Sequence, residues 1–212
     1  MTARIERVVT SGTFSLDGQD FEVDNNIWLI GDDAEVVVVD AAHDHHPIVD
    51  AIDGRRVVAI VCTHGHNDHI NAAVALADAT GGPLWLHPDD AMLWQVVNPD
   101  RPADATLADG QLIEVGGTTL TVLHPPGHSS GGCCLYSEVD GVLFSGDTLF
   151  NGGPGATGRS FSDRPTILGS IADRLLPLPA DTVVHTGHGD STTIGAETPG
   201  MRAALSELSD LT

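Results

Sequence analysis

The sequence contains no lysine. Its nine basic residues are all arginines, set against 30 aspartates and glutamates, and the formal charge is −21. Contact with a phosphate backbone or an anionic bilayer needs basic surface, so this balance argues against nucleic acid and membrane partners. No apolar run approaches the roughly 20 residues of a membrane-spanning helix. Residues 1–7 lack the apolar stretch of a signal peptide, which leads to an expected cytoplasmic location. Cysteine is scarce too: Cys62 and the neighbouring pair Cys133-Cys134 make an odd count. Adjacent cysteines rarely bond to each other, so reduced thiols serving as small core residues are expected. Aromatic residues make up only 4% of the chain, which leaves Val, Ala, Leu and Ile to build the interior. At 212 residues, one domain over residues 1–212 can bury a sizeable core. Oligomeric state has no signature in the sequence.

Histidine, by contrast, is plentiful and unevenly placed. Thr63-His64-Gly65-His66-Asn67-Asp68-His69 holds three histidines and an aspartate within six residues, directly after the apolar run 57–61. A buried strand ending in such a cluster reads as a metal site on a strand-to-helix loop.

The remaining chain alternates short strands with helices. Strands are expected at 5–9, 21–23, 27–30 and 35–39, with Val36 to Val39 buried on both faces because no polar alternation interrupts them. Asp40 closes that run. A short helix follows at 47–53, with Pro47 in its first turn. The histidines beside it, His43, His45 and His46, read as a solvated loop and helix start. A strand at 57–62, a helix at 71–80 ended by Gly81-Gly82, a strand at 83–87 and a helix at 88–97 come next. A polar surface loop is expected at 98–106. Strands at 111–115 and 118–124 form a hairpin-like pair. The turn-rich loop 125–132 carries His128 at its centre, and strands at 133–136 and 141–144 lead into Ser145-Gly146-Asp147. A Gly-rich irregular stretch at 151–165 contains Arg159 and Arg164. A helix at 166–176, a strand at 182–185 ending near His188, and a closing helix at 200–210 complete the chain.

Four strand ends thus present His and Asp: residues 64–69, His128, Asp147 and His188. His64, His66 and His128 can hold one metal, and Asp68, His69 and His188 a second, with Asp147 between them. Imidazole and carboxylate together suit zinc, iron or manganese. His87, His124 and His185 have no assigned task and are expected to be satisfied strand-end residues.

These motifs resemble those of the metallo-β-lactamase-fold hydrolases, and within them the glyoxalase II-like group. The resemblance rests on Val38-Val39-Asp40, the 63–69 run, Pro126-Gly127-His128-Ser129, Ser145-Gly146-Asp147-Thr148-Leu149-Phe150 and Thr186-Gly187-His188-Gly189-Asp190, in the family's order along nearly the whole chain. It implies an α/β fold, a four-layer αβ/βα sandwich of two mixed sheets flanked by helices. It implies the two ligand sets above, filled by two divalent ions, with zinc as the usual metal and iron or manganese as alternatives, and Asp40 supporting the ligands from behind. The implied activity is hydrolysis of an acyl thioester of a small thiol. A hydroxide shared by the two ions attacks, Asp68 orients it, and Asp147 bridges. Arg159 and Arg164 become candidates for binding the substrate's acidic groups.

A C-terminal helical domain of the kind that grips glutathione in longer members is not expected. The Lys-free composition also resembles actinobacterial homologues, in which mycothiol would replace glutathione. A cysteine ligand in place of Asp147, found in some β-lactamases, is absent here. So is the glutamate that replaces the second histidine in the flavodiiron group, since His66 is kept. A mononuclear iron persulfide dioxygenase, a lactonase and a non-catalytic metal-binding module are the other readings of the same residues.

Overall fold

The computed structural model describes residues 3–16, 18–158 and 161–210. Two six-stranded sheets dominate it. The first runs β1 (Arg4–Leu16), β2 (Gln19–Gly31), β3 (Glu35–Val39), β4 (Arg56–Val61), β5 (Leu84–Leu86) and β6 (Ala105–Thr106) in spatial order. Its first two pairings are antiparallel and the next three parallel. The second contains β7 (Leu112–Val115), β8 (Thr118–Leu123), β9 (Cys134–Ser137) and β10 (Val142–Gly146). The two-residue strands β11 (Leu149–Phe150) and β12 (Gly153–Pro154) pair with each other outside the main sheets. Beyond β10 the second sheet continues through β13 (Val183–Thr186) to β14 (Thr192–Thr193). Both large sheets are mixed, since β10 and β13 run parallel while the other pairs of the second sheet are antiparallel.

Strand alternation builds the layers. On β3, Val36 and Val38 point to one side and Val37 and Val39 to the other, all at most 1% exposed. The Val37 side meets Leu120, Val122, Leu135 and Phe144 of the second sheet. The Val36 side is covered by α1 (His46–Ile52), α2 (Asn67–Ile70), α3 (Ala73–Thr80) and α4 (Ala91–Val97), which contribute Ile48, Ile70, Leu76 and Trp94. On the far face of the second sheet, α5 (Arg164–Arg174) and α6 (Ile194–Asp210) add Ile167, Ile171, Ile194 and Met201 around Leu143 and Val184. The result is the expected αβ/βα sandwich. No helix among the described residues is long and apolar enough to cross a membrane.

Several element boundaries differ from the sequence reading, each for a local reason. The runs 5–9, 21–23 and 27–30 belong to one hairpin of two 13-residue strands, β1 paired with β2 from Arg4↔Gly31 to Leu16↔Gln19. The polar triplet Asp24-Asn25-Asn26 looks like a break in the sequence but stays in the ladder. Asn25 and Asn26 are 0% and 4% exposed, and partners across the molecule satisfy their amides. The helix expected at 71–80 is α3, which begins at Ala73, and a separate short helix, α2, forms within the ligand loop before it. The closing helix starts at Ile194 rather than at 200, with Pro199 inside it, because Ile194 and Met201 bury against the α5 layer. Cys62, Cys133 and Cys134 are free and buried.

Leu135 is fully buried between the sheets. Leu135→Ala should lower stability by about 2–5 kcal/mol, the usual cost of a cavity in a packed core. Urea denaturation checks this, and a cost under about 1 kcal/mol would show a core loose enough to close over the gap.

Candidate metal centre

The strands β3, β4, β10 and β13 are neighbours within their sheets, and the segment after each begins at the same end of the sandwich. There the chain turns out of the ladders, and there its histidines and aspartates meet. Asp40 follows β3 and adopts a left-handed backbone at φ 59°, a conformation that costs energy in a residue other than glycine. The strained turn aims a buried carboxylate sideways at the neighbouring strand end. Its Oδ1 accepts from the Thr63 backbone N–H at 2.7 Å, and its Oδ2 accepts from the Thr63 hydroxyl at 2.7 Å and from His69 Nδ1 at 3.0 Å. Gly146, at the end of β10, has φ 49° and lies against Thr63, where a Cβ would collide with the hydroxyl. The two sheets therefore close on each other at this point only because residue 146 has no side chain.

The sequence-predicted residues form two groups. The donor atoms of His64, His66 and His128 lie within 4.8 Å of one another, and so do those of Asp68, His69 and His188. His66 Nδ1 faces His128 Nε2 at 3.0 Å, and His69 Nε2 faces His188 Nε2 at 3.2 Å. Asp147 lies between the groups. Its Oδ1 is 3.4 Å from His69 Nε2, and its Oδ2 is 3.5 Å from His188 Nε2 and 3.7 Å from His128 Nε2.

Outer hydrogen bonds decide which ring nitrogens face inward. His128 Nδ1 donates to the Ala156 carbonyl at 2.8 Å, and His188 Nδ1 donates to the Asp24 carbonyl at 2.8 Å. His69 Nδ1 donates to Asp40. His64 Nδ1 lies 3.1 Å from the Thr63 hydroxyl, whose own proton goes to Asp40. Each neutral ring then turns a bare Nε2 lone pair to the centre. Bare nitrogens of His69 and His188, 3.2 Å apart, repel unless a proton or a metal cation lies between them. His64 Nε2 and Asp147 Oδ1 are buried with no hydrogen-bond partner. The donor set fits divalent ions on both counts.

The electrostatics agree. Burial, then the neighbouring imidazoles, push His64 well below the usual histidine range and His66 down to about 3, so both are uncharged donors near neutral pH. Burial also opposes charge on His69 and His188, but here Asp147 and Asp68 outweigh it. His69 is held well above its ordinary value and His188 is pushed up to about 10. The carboxylate-rich half thus calls for positive charge, from protons or from a metal.

The cleft in front of these groups has a volume of about 410 Å³. Phe14, Val23, Phe150 and Ala156 form its apolar walls, with His66, Asp68, His128, Asp147 and His188 on its floor. Arg164 is exposed on the first turn of α5 and does not line this cleft. Arg159 lies outside the described residues.

Three buried polar residues that matter here carry no motif. Asp90 accepts from the Gly65 N–H at 2.8 Å, the Ser129 hydroxyl at 2.7 Å and the Gly131 N–H at 2.7 Å, and so ties the His64–His66 loop to the His128 loop. Asn26 donates to the carbonyls of Thr186 and Gly189, holding the turn that carries His188. Asn25 reaches the Asp68 group directly. The only available signal was a polar triplet interrupting an otherwise apolar strand, and an Asp-Asp pair at a helix start.

The other histidines divide. His45 and His46 stay near the surface, with His46 bonded to Asp44. His43 departs from the expected solvated loop, because its Nε2 lies 2.8 Å from the buried Asn25 Oδ1. His185 packs on Trp28 at 4.2 Å between ring centroids and bonds Ser191. His87 and His124 stack at 4.0 Å, 21° from parallel. One ring nitrogen from each lies within 4.8 Å of the other and of an Asp89 carboxylate oxygen, at a partly exposed position away from the two triads.

Asp40→Asn leaves one acceptor where the Thr63 N–H, the Thr63 hydroxyl and the His69 N–H all need one. Zinc affinity should fall by about 10–100-fold, read by competition with a chelator. An unchanged affinity would show that Asp40 only shapes the backbone.

The chain matches known proteins along most of its length. A family model described as the metallo-beta-lactamase superfamily matches residues 21–188. The hydroxyacylglutathione hydrolase GloC of Haemophilus influenzae is 32% identical over 189 residues, covering 81% of this chain and 89% of that protein. Among solved structures, the B3 metallo-beta-lactamase BLEG-1 superposes with a TM-score of 0.76 at 30% identity, covering 90% of this chain and 97% of its own. TTHA1623 in a di-iron-bound form gives a TM-score of 0.71 at 31% identity, covering 89% and 96%. The chain belongs to the metallo-beta-lactamase superfamily of metal-binding hydrolases, with relatives in its glyoxalase II-like group.

Proposed function

We propose that this protein hydrolyses an acyl thioester of a small thiol, such as glutathione or mycothiol, at a centre of two divalent ions. The observation that carries the reading is the position of Asp147, within 3.4–3.7 Å of histidine nitrogens from both triads. One carboxylate that reaches both groups suits a shared pair of ions better than two separate sites. In this reading His64, His66 and His128 hold one ion, Asp68, His69 and His188 hold the other, and Asp147 bridges. Zinc suits the imidazole-rich donor set, with iron and manganese as alternatives. Bound there, the ions would supply Lewis acidity and a water that ionises near neutral pH.

The chain's own groups account for the rest. Asp68 is 3% exposed at the cleft floor, placed to accept a proton from the attacking water and orient it. Phe14, Val23 and Phe150 offer apolar contact to an acyl group and exclude water around the carbonyl. The thioester preference comes from the likeness to a hydroxyacylglutathione hydrolase. Arg159 and Arg164 are the proposed contacts for acidic groups on the thiol carrier, with Arg164 reaching a substrate that extends beyond the cleft.

Purified protein should contain two metal ions per chain and hydrolyse at least one member of a panel of small-thiol thioesters. One iron per chain with oxygen uptake on a persulfide would overturn the proposal in favour of a dioxygenase. Asp147→Ala should lower metal content and hydrolysis together, with turnover down by about a hundredfold or more. Full turnover in that variant would remove the bridging role.

A further inference from the structure

Asn25 is wholly buried in β2, opposite Thr10 of β1. One end of its amide faces His43 and the other faces the second triad. Nδ2 lies 3.4 Å from Asp68 Oδ2, 3.4 Å from His69 Nε2 and 3.5 Å from His188 Nε2. The end that turns to the triad decides the chemistry. An amide oxygen there would be a further metal ligand. An NH2 group cannot ligate, but it can donate to the Asp68 carboxylate.

A backbone group fixes the direction. The His43 N–H can only donate, and it meets Asn71 Oδ1 at 2.6 Å. That contact assigns the oxygen of Asn71 and turns its Nδ2 toward His43 Nδ1, 3.2 Å away. Nδ1 therefore accepts, which leaves the proton of the neutral ring on Nε2. Nε2 donates to Asn25 Oδ1 at 2.8 Å, so the NH2 end of Asn25 faces the triad. The chain of donors runs one way, from Asn71 through His43 and Asn25 to Asp68.

The fold pays to keep this chain in place. His43 adopts a left-handed backbone at φ 61°. Its ring lies over Gly12 of β1, where a Cβ would collide with Nδ1 and Cγ. A glycine in the middle of a strand weakens it, and here the missing side chain is the seat for an imidazole.

We propose that Asn71, His43 and Asn25 form a directional hydrogen-bond relay that positions the Asp68 carboxylate, and that this relay sets the occupancy of the Asp68/His69/His188 site without acting on the His64/His66/His128 site. An oxygen with two lone pairs can take the amide proton on one and a cation on the other. Asn25 then holds Asp68 in the orientation that binds the second ion. His43, Asn71 and Asn25 are positioning residues. The inference rests on the two-ion reading above.

The test is metal stoichiometry and stepwise zinc affinity of reconstituted protein, measured by elemental analysis and chelator competition. Wild type should hold two ions. Asn25→Ala should keep the first ion and bind the second about tenfold or more weakly. Asn25→Asp should also lose the second ion, because a carboxylate would face Asp68. His43→Leu should behave like Asn25→Ala, whereas His43→Gln, whose amide N–H can still donate to Asn25, should retain more of the second ion. Both His43 variants share the same strained backbone, so their difference reports the donor and not the fold. Gly12→Ala keeps every member of the relay but displaces the His43 ring, and should resemble His43→Leu. The relay is overturned by Asn25→Ala holding the second ion as tightly as wild type, or by equal zinc content in the two His43 variants. It is also overturned if Asn25→Asp binds the second ion more tightly, which would make position 25 a ligand. A wild type with a single ion sinks the two-ion reading and the relay with it, whereas two ions in wild type with an unchanged second-ion affinity in Asn25→Ala sink the relay alone.

Discussion

The centre hangs on the Asp40 carboxylate. It is buried at the end of β3, and both of its oxygens are engaged by the segment that follows β4, through Thr63 and His69. A buried carboxylate costs several kcal/mol to desolvate unless its lone pairs are met, so the three donors around it are a condition of its being there. Their arrangement locks the turn in which His64, His66, Asp68 and His69 follow one another. Without that lock, four potential ligands on one short loop would have many ways to point. With it, His69 has a defined ring orientation, and through the Thr63 hydroxyl so does His64.

The same economy recurs around the site. Asp90 joins two loops through one carboxylate, and Asn26 joins the hairpin to the turn that carries His188. Each of these residues is polar, buried and held by two or more hydrogen bonds. They hold pieces of backbone that neither helix nor sheet hydrogen bonds restrain, because the site lies where the chain leaves the ladders. The apolar layers bring the strand ends together to within a few ångströms, and the buried polar groups set the final geometry.

Charge completes the design. The half built from His64, His66 and His128 is made of imidazoles that burial keeps neutral. The half built from Asp68, His69 and His188 carries anionic oxygen and favours positive charge. Two kinds of environment side by side, with Asp147 between them, can hold two cations unequally. The β1–β2 hairpin reaches the second half through Asn25, while its Phe14 packs edge-on against His66 of the first. The surface of the cleft adds apolar walls from Phe14 and Val23 of the same hairpin.

The sequence by itself pointed to a doubly buried central strand and to the candidate ligands, and the motif resemblance implied the layer scheme. Val36 to Val39 read as a strand buried on both faces, and a doubly covered strand requires helices or a second sheet on each side. The cluster 64–69 announced its chemistry because ligand types at that density have few other uses. His128, Asp147 and His188 could be added because each follows an apolar run, and strand ends in layered folds gather on one edge. Tertiary structure decided what depends on contacts between distant segments. Asp90 and Asn26 look like ordinary helix-start and turn residues until the loops they bind lie beside them. The hairpin looked like three strands because Asp24-Asn25-Asn26 is polar, and only the groups 18 to 163 residues away show how such side chains are satisfied inside. His43 and Gly12 share this feature: one reads as a loop histidine and the other as a flaw in a strand, until the ring of the first is seen lying over the second. Local sequence carries periodicity and ligand type, whereas a buried polar group is defined by its partner, and the partner is chosen by the fold.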